Sequence, residues 1–225
     1  METKNTVLTQ NNTVELTGEF VSEGKFSHEL YGEKFYMYYL HVKRLSGSYD
    51  IVPLIISERL IDLNKVPIDT KVRITGQFRS HNLHDKEEGK TKLILSVFVL
   101  TLDLEDESEE ECRYDDINGI VLDGYVCKEP IFRKTPLGRE ICDLLVAVNR
   151  AYGKSDYIPC ICWGRSARFA NSLAVGDKIV VEGRIQSRTY VKKIDNDSEN
   201  TVERVAYEVS ANKIYYSTES EQGEN

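Results

Sequence analysis

The sequence predicts an all-β protein: two tandem five-stranded barrels, each with one helix between its third and fourth strands. Three observations lead there. First, the chain repeats itself. A shift of 106 residues lays Asn12 on Asn118, Gly18 on Gly124, Arg44 on Arg150, Asp50 on Asp156 and Pro53 on Pro159, and after one inserted residue Gly76 falls on Gly183 and Ser80 on Ser187. Second, both copies alternate apolar and polar residues with period two and are rich in Val, Ile, Leu and Tyr, the pattern of half-buried strands. Third, the net charge of −8 is confined to two segments without periodicity: residues 103–116 hold nine acids against Arg113, and 217–225 hold three glutamates. Blocks of like charge repel themselves and stay solvated. The expected organisation is a first domain over 1–102, an acidic linker over 103–116, a second domain over 117–216 and a disordered acidic tail over 217–225.

In the first unit the alternation places strands at 12–22, 34–44, 49–57, 71–82 and 91–102, with SERLIDLNKV between the third and fourth read as a helix closed by Pro67. The second unit gives strands at 118–128, 139–150, 156–163, 178–190 and 201–215. Here SARFANSLAV sets Ala167, Ala170, Asn171 and Leu173 at helical spacing and ends before the turn Gly176-Asp177. Five strands with one helix after the third describe the OB-fold, a small, partly open barrel. Gly124 and Gly183 fall inside strands, where the missing side chain suits the sharp bends that close such a barrel.

Composition removes several classes of function. With 40% apolar residues the chain can build cores, so wholesale disorder is excluded. No apolar run nears the roughly 20 residues of a membrane span, and the N-terminus resembles neither a secretory nor a transit peptide, which points to a cytoplasmic protein. Five cysteines without CxxC spacing read as reduced thiols, not a disulfide scaffold, and Cys127, Cys142, Cys160 and Cys162 as buried ones, not a zinc site. The four histidines, His28, His41, His81 and His84, all lie in the first unit, and His81 and His84 in a polar turn are more often solvated than metal-ligating. No phosphate-binding glycine motif precedes a helix, and no nucleophile has a base and orienter beside it. No catalytic residue, metal or cofactor is expected, and the protein is not read as an enzyme.

An OB-fold binds oligonucleotides across its second and third strands and the flanking loops, so the residues to find there are aromatic and basic. The second unit supplies them. Tyr152 lies in the turn after strand two, Tyr157 and Trp163 bracket strand three, Tyr190 ends strand four and Phe132 sits in the first long loop. Arg133, Lys134, Arg139, Arg150, Arg165, Arg184, Arg188 and Lys192 are interleaved with them. Any base has a π-face to stack on a ring, for about 1–3 kcal/mol, while cations follow the phosphates without reading sequence. A single strand tyrosine is as often a packing residue, and scattered Arg and Lys are usually solvated. The set is more informative than its members, because these aromatics fall at strand ends and turns, whereas core residues belong in strand middles.

Several segments of this unit are similar to the bacterial single-stranded DNA-binding protein family. Asn118 opens strand one. Glu129-Pro130, Arg133, Thr135-Pro136 and Gly138 reproduce a loop motif of the form Glu-Pro-x-x-Arg-x-Thr-Pro-x-Gly. The segment DYIPCICW holds an aromatic at Tyr157 and another at Trp163, and GDKIVVEGRIQSR is followed by Tyr190. The resemblance implies base stacking on Tyr152, Tyr157, Trp163 and Tyr190, and phosphate contacts at or beside Arg133, Arg150, Arg165, Arg184 and Arg188. It also implies single-stranded DNA as the partner, in replication, recombination or repair, and a nucleoid-associated location. Because the family assembles four barrels, two per chain imply a homodimer.

The first unit departs where function should lie. Ser46, Ile51, Ser57 and Leu83 stand where the second unit has Tyr152, Tyr157, Trp163 and Tyr190, while Ser27 and His28 replace Arg133 and Lys134. It is expected to serve assembly. Members that recruit replication or repair proteins do so through an acidic tail with a hydrophobic Pro-Phe tip, which has no counterpart after Tyr216. The competing reading is a structural or protein-interaction module of a primosome-like complex that has kept the barrel and lost the ligand.

Overall fold

A computed structural model describes residues 11–60, 68–85, 90–104, 115–193 and 201–218. In the first copy the strands are β1 (Asn12–Phe20), β2 (Lys25–Leu30), β3 (Glu33–Lys43), β4 (Tyr49–Ser57), β5 (Lys71–Asp85) and β6 (Lys90–Leu104). The second copy contains β7 (Asn118–Val126), β8 (Ile131–Lys134), β9 (Glu140–Asn149), β10 (Ser155–Trp163), helix α1 (Arg165–Asn171), β11 (Lys178–Lys193) and β12 (Thr201–Tyr216). The fold is all-β, with one short helix among the described residues.

In each copy the pairings form a circuit. β1 pairs with β3 and β5, β3 with β4, β4 in parallel with β6, and β6 with β5. The second copy repeats this through β7, β9, β10, β12 and β11, again with one parallel contact, β10 to β12. Strand alternation turns one side of every ribbon inward. In the second copy Leu122, Val146, Ile158, Val181 and Val209 meet in the interior, and α1 adds Ala167 and Ala170. In the first, Leu16, Leu40, Leu54, Ile74 and Val97 do the same. Each such side chain contributes about 1.5–3 kcal/mol of burial.

Four glycines let the strands bend this tightly. A Cβ on Gly124 would stand 2.5 Å from the Ala147 carbonyl oxygen, and one on Gly183 would overlap the Ser210 carbonyl. Gly18 and Gly76 meet the same obstruction in the first copy, against the carbonyls of His41 and Phe98. A bulge follows the same rule: the register shifts at Thr75/Gly76 and again at Glu182/Gly183, leaving Leu100 and Asn212 as the extra residues opposite.

The structure differs from the sequence expectation in three places. β2 and β8 are strands where loops were expected; each pairs only with the next strand as an outlying hairpin arm. β2 is exposed along its whole length, so it has no buried face to impose alternation. β6 runs through Leu104, two residues into the segment assigned to the linker, with Asp103 paired to Arg73. Residues 58–60 of the helix expected in the first copy form a turn, and 61–67 lie outside the described residues, as do 105–114 of the linker and 219–225 of the tail.

The copies are joined about a pseudo-two-fold axis. β1 and β7 pair antiparallel from Asn12↔Leu122 to Leu16↔Asn118, centred on Val14↔Ile120, two residues that are themselves duplication partners. The same symmetry governs the side chains. Arg44 forms an ion pair with the buried Asp50 and donates to the carbonyl of Ser187 at 3.1 Å, and the Ser187 N–H donates to Asp50 at 2.6 Å. In mirror fashion Arg150 pairs with the buried Asp156 and donates to the carbonyl of Ser80 at 2.8 Å, and the Ser80 N–H donates to Asp156. Each serine hydroxyl then accepts from the residue after the aspartate, Ile51 or Tyr157.

Candidate nucleic-acid interface

Cross-strand register shows which side chains share the outer surface of the second copy. Arg133 on β8 is level with Ile141 on β9 and Trp163 on β10, and two residues along, Ile131, Asp143 and Ile161 form the next row. Further along β10, Tyr157 stands beside Ala147 while its neighbours Asp156 and Ile158 are buried. Tyr157, Trp163 and Tyr190 therefore project outward, with 45%, 40% and 38% of their surfaces exposed. That degree of exposure fits a ring that rests one face on the sheet and offers the other to a ligand. Tyr190 rides on the long β11–β12 arm opposite Arg204, and the Arg188 guanidinium carbon lies 5.9 Å from its ring centre.

The cations divide into two groups. Arg133 is exposed and bidentate to Asp143, at 2.9 and 3.2 Å. Lys134, Arg139, Arg165 and Arg188 are also solvent-facing, Arg139 in a turn closed by Gly138 at φ 76° and by hydrogen bonds between Thr135 and the backbone of Arg139 and Gly138. Arg150 and Arg184 are different. Arg150 is held by Asp156 and Ser80 at the joint, and Arg184 donates to Asp50 at 3.2 Å and to Gln186 at 2.9 Å. Both were expected to meet phosphate beside the rings; the structure sets both in ion pairs between the copies, where Arg184 also lines a groove with Lys43 and Arg44.

Phe132 is a second departure. It is level with the buried Cys142, so it points to the core side and packs there instead of joining the exposed rings. Tyr152 belongs to the one-turn helix Ala151–Gly153 and Lys192 to the tip of β11, but their side chains lie outside the described residues. The thiols of Cys160 and Cys162 are sealed in: burial pushes Cys162 up to about 12 and Cys160 well above its ordinary value, so neither ionises near neutrality.

The structure adds residues that the sequence reading missed. Beyond Trp163 the surface continues as a groove lined by Arg165, Phe169, Asn212 and Lys213. Phe169 meets Tyr216 edge-on at 5.4 Å, and the Lys213 ammonium lies 4.6 Å from the Tyr215 ring centre. The signal for Phe169 was present, since it stands off the Ala167/Ala170 stripe of its helix. In the first copy the corresponding surface is altered: Ser57, at the place of Trp163, is buried and hydrogen-bonded to Glu33, while aromatic pairs gather on β2 and β3 as Phe26–Tyr36 and His28–Phe35.

With this geometry in place, comparison with known proteins is informative. Residues 117–216 match the model of the Single-strand binding protein family. A single-stranded DNA-binding protein of Clostridium tetani is 36% identical over 100 residues, covering 41% of this chain and 68% of that protein. The chain belongs to the single-strand binding protein family. Single-stranded DNA-binding protein 2 of Listeria innocua is 37% identical over 81 residues, which are 33% of this chain and 51% of that protein. The match thus spans about half the length of that relative, and likewise 47% of single-stranded DNA-binding protein A of Bacillus subtilis. Across both copies, the crystal structure of the wild-type single-stranded DNA binding protein from Thermus aquaticus superposes with a TM-score of 0.69 at 18% identity, covering 95% of this chain and 96% of that one. The two share a fold over nearly their full lengths. No described helix is long and apolar enough to cross a membrane.

Proposed function

We propose that this protein binds single-stranded DNA with little sequence preference and without chemistry of its own, shielding exposed strands during replication, recombination or repair. Each strand circuit is read as one five-stranded OB barrel, with the second barrel, residues 117–216, as the binding unit. The observation that carries this is the row of outward rings Tyr157, Trp163 and Tyr190 edged by Arg133, Arg165 and Arg188. Bases stack on the rings, and the arginines follow the backbone. Membership of the single-strand binding protein family supports the same reading.

The first barrel, with Ser57 turned inward and Ile51 and Leu83 in place of rings, is read as the assembly unit. Two such chains related by a two-fold axis would supply four barrels. The sheet β6-β5-β1-β7-β11-β12 offers a surface for that contact, with Leu100 and Val121 exposed upon it.

Titration of the full chain with oligo(dT) tests the binding role, since Trp163 is the only tryptophan and reports directly. The expected result is quenching of its emission, with affinity falling steeply as salt rises. Alanine at Tyr157, read by the same quenching, or at Trp163, read by the mobility shift of a labelled oligo(dT) because that variant holds no tryptophan, should weaken binding by about 1–3 kcal/mol each, with the unfolding midpoint little changed. Absence of quenching in a correctly folded, self-associated protein would instead favour the structural-module reading.

A further inference from the structure

Asn212 stands at a crossing. It is the extra residue of the β11–β12 bulge, it is exposed, and it follows Ala211, which the β10–β12 ladder sets beside Cys162; Asn212 thus comes level with Trp163 on the outer surface. From there it lines two grooves. One contains Trp163, Arg165 and Lys213. The other, of 630 Å³, enters the seam between the copies and is lined by Lys43, Arg44, Asp116 and Arg184, with the turn at Ser46 and Gly47 beyond. We propose that a single strand leaving Trp163 crosses Asn212 into this seam, where Lys43, Arg44 and Arg184 receive its phosphates, so that the path extends from the C-terminal copy onto the N-terminal one.

This proposal rests on the binding role assigned above and concerns where the strand goes next. The chemistry of the seam suits an anionic chain better than a neutral or basic partner, and its continuity with the Trp163 groove through Asn212 makes that chain a nucleic-acid backbone. Its three cations come from two copies, and both arginines keep unspent N–H groups: Arg44 engages Asp50 through Nε and Nη2, and Arg184 uses Nη1 and Nη2. Asp50 is fully buried behind them and compensates part of their charge without facing the groove. At the mouth, Lys43 is bridged to Asp116 at 3.0 Å, both side chains about half exposed. A phosphate entering the seam takes over Lys43, and Asp116 is the carboxylate it displaces.

Two substitutions at this exposed pair act in opposite directions if the seam is a track. Lys43→Gln removes a phosphate contact, whereas Asp116→Asn removes the competitor and frees the lysine. The experiment follows Trp163 quenching on the full chain with a short oligo(dT) of about 8 nucleotides, within one barrel's reach, and a long one of about 30. Unmodified protein should quench with both. For the long strand, Lys43→Gln should lower affinity by roughly fivefold at low salt and flatten the log–log salt slope by about 0.7, the value of one single-strand phosphate contact, while Asp116→Asn should raise affinity. Neither variant should alter short-strand binding. Both variants weakening the long strand would mean the pair acts only by holding the fold, and unchanged long-strand affinity in both would mean the strand does not enter; either overturns the proposal, as does an equal loss with the short strand. Quenching by neither oligonucleotide in the unmodified protein removes the binding role itself, a different failure.

Discussion

Arg133 and Arg150 are the same residue type, close to the same expected surface, yet their surroundings assign them opposite work. Arg133 shares an exposed carboxylate, Asp143, from which a phosphate can draw it at little cost, because surface ion pairs contribute only about 0–1 kcal/mol. Arg150 faces Asp156, whose side chain is 2% exposed and also accepts the Ser80 N–H. Removing Arg150 leaves that carboxylate buried without its counter-ion, a loss of about 3–5 kcal/mol. Arg150→Ala should therefore lower the unfolding free energy by that amount and bring the denaturant midpoint down with it, while Arg133→Ala should leave the midpoint nearly unchanged and reduce the salt dependence of oligo(dT) binding. Equal midpoints for the two variants would mean that the joint does not hold Arg150 as described.

At the scale of elements, most of the fold could be read because strands with a buried side must alternate. β9 is the clearest case: Cys142, Leu144, Val146 and Val148 turn inward in strict succession. β2 and β8 escaped detection because arms paired on one edge carry no such constraint. The exposed rings were legible as strand-end aromatics, whereas Phe132 was not distinguishable from them, since only its register beside Cys142 sends it inward. The commitment of Arg150 and Arg184 to the joint lay beyond sequence reasoning, because it depends on how the two copies meet. The glycines were legible as bends, and here the structure sharpens the expectation. Gly124→Ala must push its methyl against the Ala147 carbonyl, which is backbone and cannot swing away. Such overpacking costs about 1–3 kcal/mol. Gly138→Ala, with open space around its Cβ and only a positive φ to strain, should cost less. Thermal unfolding of the pair checks that order, and a reversed one would show that the bend at Gly124 is not limiting.

Across the whole molecule, the duplicated joint makes each copy part of its neighbour's support. Asp50 belongs to the first copy, yet it is approached by Arg44 from its own strand system and by Arg184 and the Ser187 N–H from the second. Replacing it by alanine strands two guanidiniums at once, so the second copy should lose stability although none of its own residues has changed. The thiols provide a reporter confined to that copy. Cys160 and Cys162 lie in its core, and burial holds them un-ionised far above the ordinary thiol range of about 8.5, so a disulfide reagent at pH 8 reaches them only when that copy opens. Half-buried Cys127, and Cys112, which lies in the sequence before the second copy, are replaced by serine beforehand. In a denaturant series, Asp50→Ala should shift the exposure of the slow thiols to lower concentration together with the loss of the far-ultraviolet circular dichroism of the whole chain, as a single transition. Slow thiols released at an unchanged concentration would mean that the two copies unfold independently, and that the joint aligns them without stabilising them.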